Sequence, residues 1–327
     1  MMAKLETFMA WVSKNLTLLI FVVMLWGLAN SYFFGGIAFN IGICATASFL
    51  MIYPMFINLR IEDIVEIKNN KLPVALSVFI NFILSPLFAY ALGFLFLADE
   101  PFMRLGLMLI SLIPTSGMTV TWTERSKGNI KTALSIVSFS LLIVIIGLPL
   151  VLPLVAGNAL ATGPWYIFQR ILLVIIVPLT LGDITRRVII AKKGMEFFKK
   201  KKPLFSGASS TGLLVVLFLI MSLDVNTMLL KDPLLTLKGL VPLSIYYVLM
   251  FGASTLLARG LAYPVRVALV FGTSVRYLAL ALGIAVPLLG SNSNGAMVAF
   301  IIALAFFVQV PFASFYAKWI MRQQLPT

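Results

Sequence analysis

The chain has 327 residues, of which 61% are hydrophobic and 11% are charged, with a net charge of +14, one cysteine and no histidine. A soluble domain carries about 25% charged residues, so this composition is typical of a polytopic membrane protein. The lack of histidine and the single Cys44 exclude His/Cys metal sites, histidine-based catalysis and intrachain disulfides, and cations placed between apolar segments favour membrane orientation over nucleic-acid binding.

Ten apolar segments are each long enough for a membrane-spanning helix, which needs about 20 residues. In chain order they are 15–31, 35–58, 73–97, 103–123, 131–156, 165–188, 205–224, 235–258, 264–288 and 295–319. The first is interpreted as a retained span and not a signal peptide, because no small-residue cleavage site follows it. We therefore predict an all-α polytopic membrane protein with ten transmembrane helices in a single transporter domain, residues 1–327.

The basic residues predict how the chain lies in the membrane. With the N-terminus inside, most of the 25 Lys and Arg residues fall in cytoplasmic segments, which places both termini in the cytoplasm of an inner or plasma membrane protein. The densest basic run is FFKKKKPLF, 197–205. It is interpreted as a topology anchor, with binding to anionic lipid headgroups as the alternative.

Ten spans divide into two groups of five, residues about 1–160 and 161–327. Because five is odd, the second group must enter the membrane from the opposite face. Inverted repeats of this kind are typical of secondary transporters, in which helices broken near the midplane hold the substrate. We expect helices 4 and 9 to be the discontinuous pair.

The fourth and ninth spans carry matching polar interruptions. The fourth contains LIPTSGMTVTW (112–122) and the ninth contains VFGTSVRYLAL (270–280). The predicted helix-break residues are Pro114, Gly117 and Gly272. The predicted substrate-binding residues are Arg276 and the hydroxyl-bearing Thr115, Ser116, Thr273 and Ser274. Close packing of small residues at a kink is the alternative.

Four stretches resemble a known family: FLMIYPMFINLRIEDI (49–64), LIPTSGMTVTWTERSKGN (112–129), PLSIYYVLMF (242–251) and FGTSVRYLALALGIAV (271–286). They are similar to the arsenical-resistance permeases, which share a superfamily with the bile acid:sodium symporters. Met51 to Pro54 and Trp122 to Gly128 point to the arsenical branch, whereas Pro114 is closer to the bile-acid branch. The resemblance implies ten spans, an inverted five-plus-five repeat and crossed discontinuous helices.

The chain departs from this resemblance at positions that matter for substrate and ion. Where the arsenical permeases have a cysteine, this chain has Thr115. Where they have two asparagines and a glutamate, it has Arg276, Tyr277 and Ala279. Sodium-coupled relatives use a ninth-span carboxylate to hold the ion. The resemblance therefore supports the fold and leaves the arsenite substrate open.

Arg276 is the only charged residue within FGTSVRYLALALGIAV (271–286), and no acidic residue is predicted at the centre of a span. A charge at mid-bilayer costs about 2.5–3.5 kcal/mol on insertion scales, and arginine stays protonated. It either pairs with an anionic substrate or replaces the sodium ion of the relatives, and these two roles are compatible. The alternative is a structural bond to carbonyls freed by the helix break, or a side chain that reaches the interface. Asn81 and Gln309 are further substrate-binding candidates, with helix–helix hydrogen bonds as their alternative role.

The sequence thus predicts a secondary active transporter of a small anion or metalloid oxyanion. The alternatives are an arsenite or antimonite efflux permease, a sodium-coupled organic-anion symporter, and a transport-inactive membrane sensor or interaction protein. We predict no enzyme activity, cofactor or metal, because no nucleophile–base pair or Gly-rich phosphate loop is present. Membrane lipids are the other expected partner, and the oligomeric state stays open.

Overall fold

The computed structural model describes residues 2–37, 41–58, 70–156, 164–222, 233–289 and 293–322. Within these ranges the chain is almost entirely helical, which confirms the predicted all-α class. The helices are α1 (Met2–Lys14), α2 (Leu16–Phe34), α3 (Ile41–Ile57), α4 (Lys71–Phe79), α5 (Ser85–Phe96), α6 (Pro101–Leu112), α7 (Met118–Arg125), α8 (Ile130–Ala156), α9 (Pro164–Met221), α10 (Pro233–Leu257), α11 (Tyr263–Ser274), α12 (Leu278–Leu289) and α13 (Ser293–Arg322). A single π-helical turn, Ile80–Leu84, joins α4 to α5. Helix α1 was not among the predicted elements.

Several helices are long and apolar enough to cross a membrane. Within the described residues there are five, or six if the bent pair Glu6–Lys14 and Leu18–Phe34 forms one span. This supports an integral multi-pass protein, whereas the count of ten spans stays a prediction. The predicted fourth and ninth spans are each divided into two short helices, α6 with α7 and α11 with α12. A divided span contains no uninterrupted helix of membrane length.

The chain forms two compact units, and each unit takes segments from both halves of the sequence. The first unit comprises Met1–Leu59, Leu160–Pro233 and Ala279–Ala303, and the second comprises Arg60–Ala159, Leu234–Leu278 and Leu304–Thr327. The predicted substrate-binding and helix-break residues all fall in the second unit. The prediction of one transporter domain built from two pseudo-repeats is not tested by this division.

In the first unit, α9 reverses direction and encloses α3. Tyr53 Oη lies 2.8 Å from Thr185 Oγ1, and Ser209 Oγ donates to the carbonyl of Met51 at 2.7 Å. Residues 185 and 209 would be about 36 Å apart in a straight helix, yet both contact the same turn of α3. The reversal occurs at Gly194, whose backbone is non-helical with φ 81° and ψ 164°, a conformation that glycine adopts readily. The basic run is therefore helical and lies just beyond this turn.

In the second unit, α6 and α11 are both deeply buried towards the ends at which the divided spans break. Every residue from Val267 to Ser274 is buried. Helix α6 is likewise buried at all positions from Leu105 to Leu112. Both helices end in the middle of their segments, so the chain breaks its helical hydrogen bonding deep inside the protein.

Candidate functional site

Two helices end and restart near the centre of the second unit. Helix α6 ends at Leu112 and α7 begins at Met118, while α11 ends at Ser274 and α12 begins at Leu278. Ile113 has an extended backbone with φ −70° and ψ 141°. Pro114 explains this, because proline disfavours the α conformation in the residue before it. The second break begins at Val275, which is also extended, although no proline adjoins it.

The two breaks hydrogen-bond to each other, and we call this place the crossing (residues 113–117 and 275–277). The N–H of Ser116 donates to the carbonyl of Val275 at 3.1 Å, and the N–H of Tyr277 donates to the carbonyl of Pro114 at 2.9 Å. Thr115 and Arg276 form a single antiparallel bridge between them. In an apolar environment every backbone polar group needs an internal partner, so each break stabilises the other.

The carboxamide of Gln309 holds the backbone of Arg276 from both sides. The N–H of Arg276 donates to Gln309 Oε1 at 2.7 Å, and Gln309 Nε2 donates to the carbonyl of Arg276 at 3.1 Å. Tyr247 Oη donates to the same Oε1 at 2.9 Å. Gln309 is 1% exposed. Its carboxamide bonds both backbone groups of Arg276, as a neighbouring β-strand would. This is a structural role.

Asn81 completes the end of α11 from the π-helical turn. Its Nδ2 donates to the carbonyl of Gly272 at 3.1 Å. In an uninterrupted helix that carbonyl would accept from the N–H of Arg276, four residues later. Asn81 therefore supplies a donor for this carbonyl, and Gln309 supplies an acceptor for the N–H of Arg276. Two side chains thus replace one helical hydrogen bond. Asn81 Oδ1 is buried and has no partner among the described residues.

The guanidinium of Arg276 is buried without a carboxylate beside it. Arg276 is 1% exposed, and none of the ion pairs found in the described part of the chain includes it. Its Nη1 donates to the carbonyl of Ile113 at 3.3 Å, and its Nη2 lies 3.9 Å from Met250 Sδ. Its Nε has no acceptor among these residues. A guanidinium has five N–H donors, so one carbonyl and one sulfur leave most of them unused.

Arg276 thus makes the structural hydrogen bond that the sequence offered as an alternative role, a bond to a carbonyl freed by the helix break. Ile113 follows the last residue of α6, where the helix dipole is negative. A cation there gains up to about 2 kcal/mol in partly buried geometries. This compensates part of the charge and does not neutralise it.

Three of the four predicted hydroxyls are engaged with the protein. Thr115 Oγ1 donates to the carbonyl of Val275 at 3.1 Å and lies 2.6 Å from Thr119 Oγ1. Ser116 Oγ accepts the N–H of Met118 at 2.9 Å, and Thr273 Oγ1 donates to Leu269 at 2.9 Å. Ser274 Oγ is buried and has no partner within the described ranges. Ser274 is therefore the hydroxyl most available to a ligand.

The predicted break at Gly272 is three residues too early. Helix α11 continues through Gly272 and ends at Ser274. A Cβ at Gly272 would lie 2.8 Å from Cγ2 of Ile136 on α8. Glycine serves the close approach of two helices here, and the break itself comes from Gln309 and the carbonyl of Pro114.

Tyr247, Met250 and Ser254 were missed by the sequence reasoning. All three lie on α10, and Ser254 Oγ is 2.6 Å from Thr273 Oγ1. The adjacent pair Tyr246 and Tyr247 in the middle of an apolar span was the available signal, because a buried tyrosine usually needs a hydrogen-bond partner.

Comparison with known proteins identifies the family. The family model described as "Sodium Bile acid symporter family" matches residues 45–231, more than half of the chain. The chain belongs to the sodium bile acid symporter family. This confirms the predicted resemblance and supports a membrane transporter. The matched segment includes the first break and ends before the second.

The relatives of this family member include proteins named for arsenical resistance and proteins named for bile-acid cotransport. It is 26% identical to the arsenical-resistance protein Acr3 of Corynebacterium glutamicum over 276 residues, which cover 80% of this chain and 74% of the relative. It is also 26% identical to Acr3 of Alkaliphilus metalliredigens over 278 residues, 80% of this chain and 76% of the relative. The sodium/bile acid cotransporter 7 of Xenopus tropicalis is 30% identical over 114 residues, 35% of this chain and 32% of the relative.

Proposed function

We propose that this protein is a secondary active transporter that moves a small anion or metalloid oxyanion by alternating access around the crossing. The observation that carries the proposal is the guanidinium of Arg276, which is 1% exposed and has no carboxylate partner in the described ranges. A buried charge without a partner is costly, and a charged substrate that enters the site would relieve the cost. Guanidinium binds carboxylates, phosphates and oxyanions through paired N–H donors.

The unpaired polar atoms define the proposed binding groups. Nε of Arg276 and Oγ of Ser274 are buried donors without partners in the described part of the chain. The start of α7 lies at the other break, and a helix N-terminus favours negative charge. Together these groups provide the positive potential and the hydrogen-bond donors that a small anion needs.

The engaged hydroxyls have a different proposed role. Thr115 and Thr273 each donate to a backbone carbonyl, so each would have to leave that carbonyl to contact a substrate. In the state described here these two hydroxyls therefore stabilise the breaks and do not point donors at a substrate. Gln309 and Asn81 hold the backbone and define the geometry around the substrate.

The ten-helix inverted repeat, with both termini in the cytoplasm, is part of the proposal. Each compact unit contains one long segment from the first half and one from the second, beginning at Met1 and Leu160 in the first unit and at Arg60 and Leu234 in the second. Thr115 and Val275 meet at the crossing 160 positions apart, about half the chain length. A duplicated five-span unit accounts both for the spacing of the segment starts and for the separation of Thr115 and Val275 along the chain.

Arsenite efflux is the second candidate, and the names of the Acr3 relatives favour it. A soft metalloid is bound best by a thiolate, but Thr115 presents a hydroxyl at the crossing. An oxyanion, in contrast, is suited to a guanidinium and hydroxyl donors. The chemistry of the site therefore favours an anion.

The proposal is tested by a screen of small anions in a thermal-shift assay, because a ligand that binds the folded state stabilises it. Anions that raise the midpoint of the wild type are then assayed for flux in proteoliposomes. Arg276→Gln should abolish both the shift and the flux, while Arg276→Lys retains part of each. Arg259→Gln, an exposed residue of the same unit, is the matched control. Unchanged flux in folded Arg276→Gln would remove the guanidinium from the site.

A further inference from the structure

The first unit contains a cavity that the crossing does not include. An open cavity of about 590 Å³ runs between α3 and α9 and ends near Met9 of α1. Its α3 side is formed by positions 43, 46, 47, 50 and 54, and its α9 side by positions 208, 211, 212 and 215. These spacings of three, four and seven place each set on one helix face. We call this cavity the groove.

The lining of the groove is almost entirely apolar. Ile43, Leu50, Pro54 and Val215 form much of it. The hydroxyl of Thr211 donates to the carbonyl of Gly207 at 2.9 Å and lies 3.6 Å from Met9 Sδ, so it is already engaged within the protein. A volume of about 300–1,000 Å³ is typical of pockets that hold a small molecule, and this lining suits a hydrocarbon chain. In a membrane protein the abundant hydrocarbon is lipid.

One end of the groove lies next to the basic run. Lys201 precedes Ala208 by seven residues, so it lies on the same face of α9 about 10 Å nearer the turn at Gly194. Helices α3 and α9 run antiparallel here, because Asn58 contacts Lys202 and Ser206 while Ser209 contacts Met51. Ile43 and Val215 therefore lie at the far end, away from the lysines.

The basic run has more positive charge than its neighbours neutralise. Lys199 pairs with Glu196, and Lys201 pairs with Glu6 of α1. Lys200 and Lys202 are exposed and have no ion-pair partner in the described part of the chain. An anionic headgroup at this end complements that charge, and each lysine near a membrane surface contributes about 1 kcal/mol to such binding.

We infer that the groove and the basic run together form a binding site for one anionic phospholipid, with an acyl chain between α3 and α9 and the headgroup beside the basic run, where the exposed Lys200 and Lys202 flank Lys201 and supply positive charge. This gives the FFKKKKPLF run a function beyond fixing topology. Bound lipid would join α1, α3 and the second arm of α9, and would stabilise the first unit independently of any substrate at the crossing.

Native mass spectrometry of the full chain, titrated with phosphatidylglycerol or phosphatidylcholine, tests the inference. The wild type should retain one phosphatidylglycerol more tightly than phosphatidylcholine. Lys200→Gln/Lys202→Gln should weaken phosphatidylglycerol binding by about fivefold per lysine. Arg259→Gln/Lys318→Gln removes the same charge from exposed positions in the second unit and should leave binding unchanged.

The groove is tested separately by Val215→Phe, which fills its far end at a position that is 45% exposed. This variant should fold, as its thermal unfolding will show, and should lose the tightly retained lipid although all lysines are intact. Equal retention of both lipids by the wild type, unchanged binding in the lysine and Val215 variants, or an equal loss in the Arg259/Lys318 control would each overturn the inference. Anion flux through the crossing is a separate readout, so failure here leaves the proposed function standing.

Discussion

Gln309 bridges the backbone N–H and carbonyl of Arg276, at 2.7 and 3.1 Å, in the middle of a broken helix. A side chain from α13 thereby supplies the acceptor that the N–H of Arg276 loses when α11 ends. This fixes the position of Arg276, a buried cation that has no ion pair in the described part of the chain. The structural and the proposed functional roles of the crossing meet at this contact.

Gln309→Leu should destabilise the protein strongly. The substitution removes the acceptor of the buried N–H of Arg276 and of the buried hydroxyl of Tyr247, at about 1–3 kcal/mol for each donor left unpaired. The midpoint of thermal unfolding in detergent should fall well below that of the wild type. Gln169→Leu, at an exposed position, is the matched control. Equal midpoints for the two variants would show that the bridge does not hold the break.

Gln309→Glu adds a negative charge at the crossing and keeps nearly the same side-chain shape. A carboxylate keeps the acceptor for the N–H of Arg276 but cannot donate to its carbonyl, and it adds negative charge near the guanidinium. Anion affinity should drop, because the new charge opposes the substrate and neutralises part of the site. The measurement is the anion-induced thermal shift, and a shift as large as in the wild type would argue against a substrate bound by charge.

Gly272→Ala should cost about 1–3 kcal/mol, because its Cβ would lie 2.8 Å from Cγ2 of Ile136 and overpack the contact of α11 with α8. Ile136→Ala removes the opposing atoms. The double variant should recover part of the stability that Gly272→Ala loses, measured in a double-mutant cycle of unfolding midpoints. Additive losses would mean that the close approach is unimportant.

Replacing external sodium by potassium should change anion flux by less than twofold. Arg276, Tyr277 and Ala279 provide no carboxylate in the second broken helix, and we propose that the fixed guanidinium charge takes the place of a coupling cation. Flux into proteoliposomes in the two salts measures this. A strict sodium requirement would reveal an ion site, and the unpaired oxygens of Asn81 and Ser274 would be the first groups to examine.

Cells that lack their own arsenite efflux should gain little resistance from this protein. Thr115 presents a hydroxyl at the crossing, and trivalent arsenic is bound better by thiolates. Growth in arsenite is compared with cells expressing Acr3 of Corynebacterium glutamicum. Resistance equal to that control would establish arsenite as a substrate in spite of the missing thiol.

The sequence predicted the first break well and the second less well, for a physical reason. Pro114 dictates an extended Ile113 locally, so the interruption is visible in the chain itself. Val275 to Tyr277 contain neither proline nor glycine. Their extended backbone depends on Gln309, Pro114 and Ser116, which are distant in sequence. The sequence alone therefore predicted that break at the nearest glycine, Gly272.

Other features could not be derived from local pattern. The reversal of α9 depends on Gly194, which lies between two helical arms. In the sequence alone, this glycine looks like any other glycine in a basic linker. The hydroxyls near the breaks were identified as a group, but whether each donates to backbone or stays unpaired depends on tertiary geometry. The isolated charge of Arg276 was the clearest signal, because its cost in an apolar segment applies whatever the surrounding packing.

The central claim is that the charge of Arg276 is balanced by the transported anion, and titration calorimetry of that anion tests it most directly. Removing one partner of a buried charge pair costs about 2–5 kcal/mol, so Arg276→Gln should bind at least thirtyfold more weakly than the wild type, with Arg276→Lys between them. Folded Arg276→Gln that binds the anion as tightly as the wild type would contradict the account.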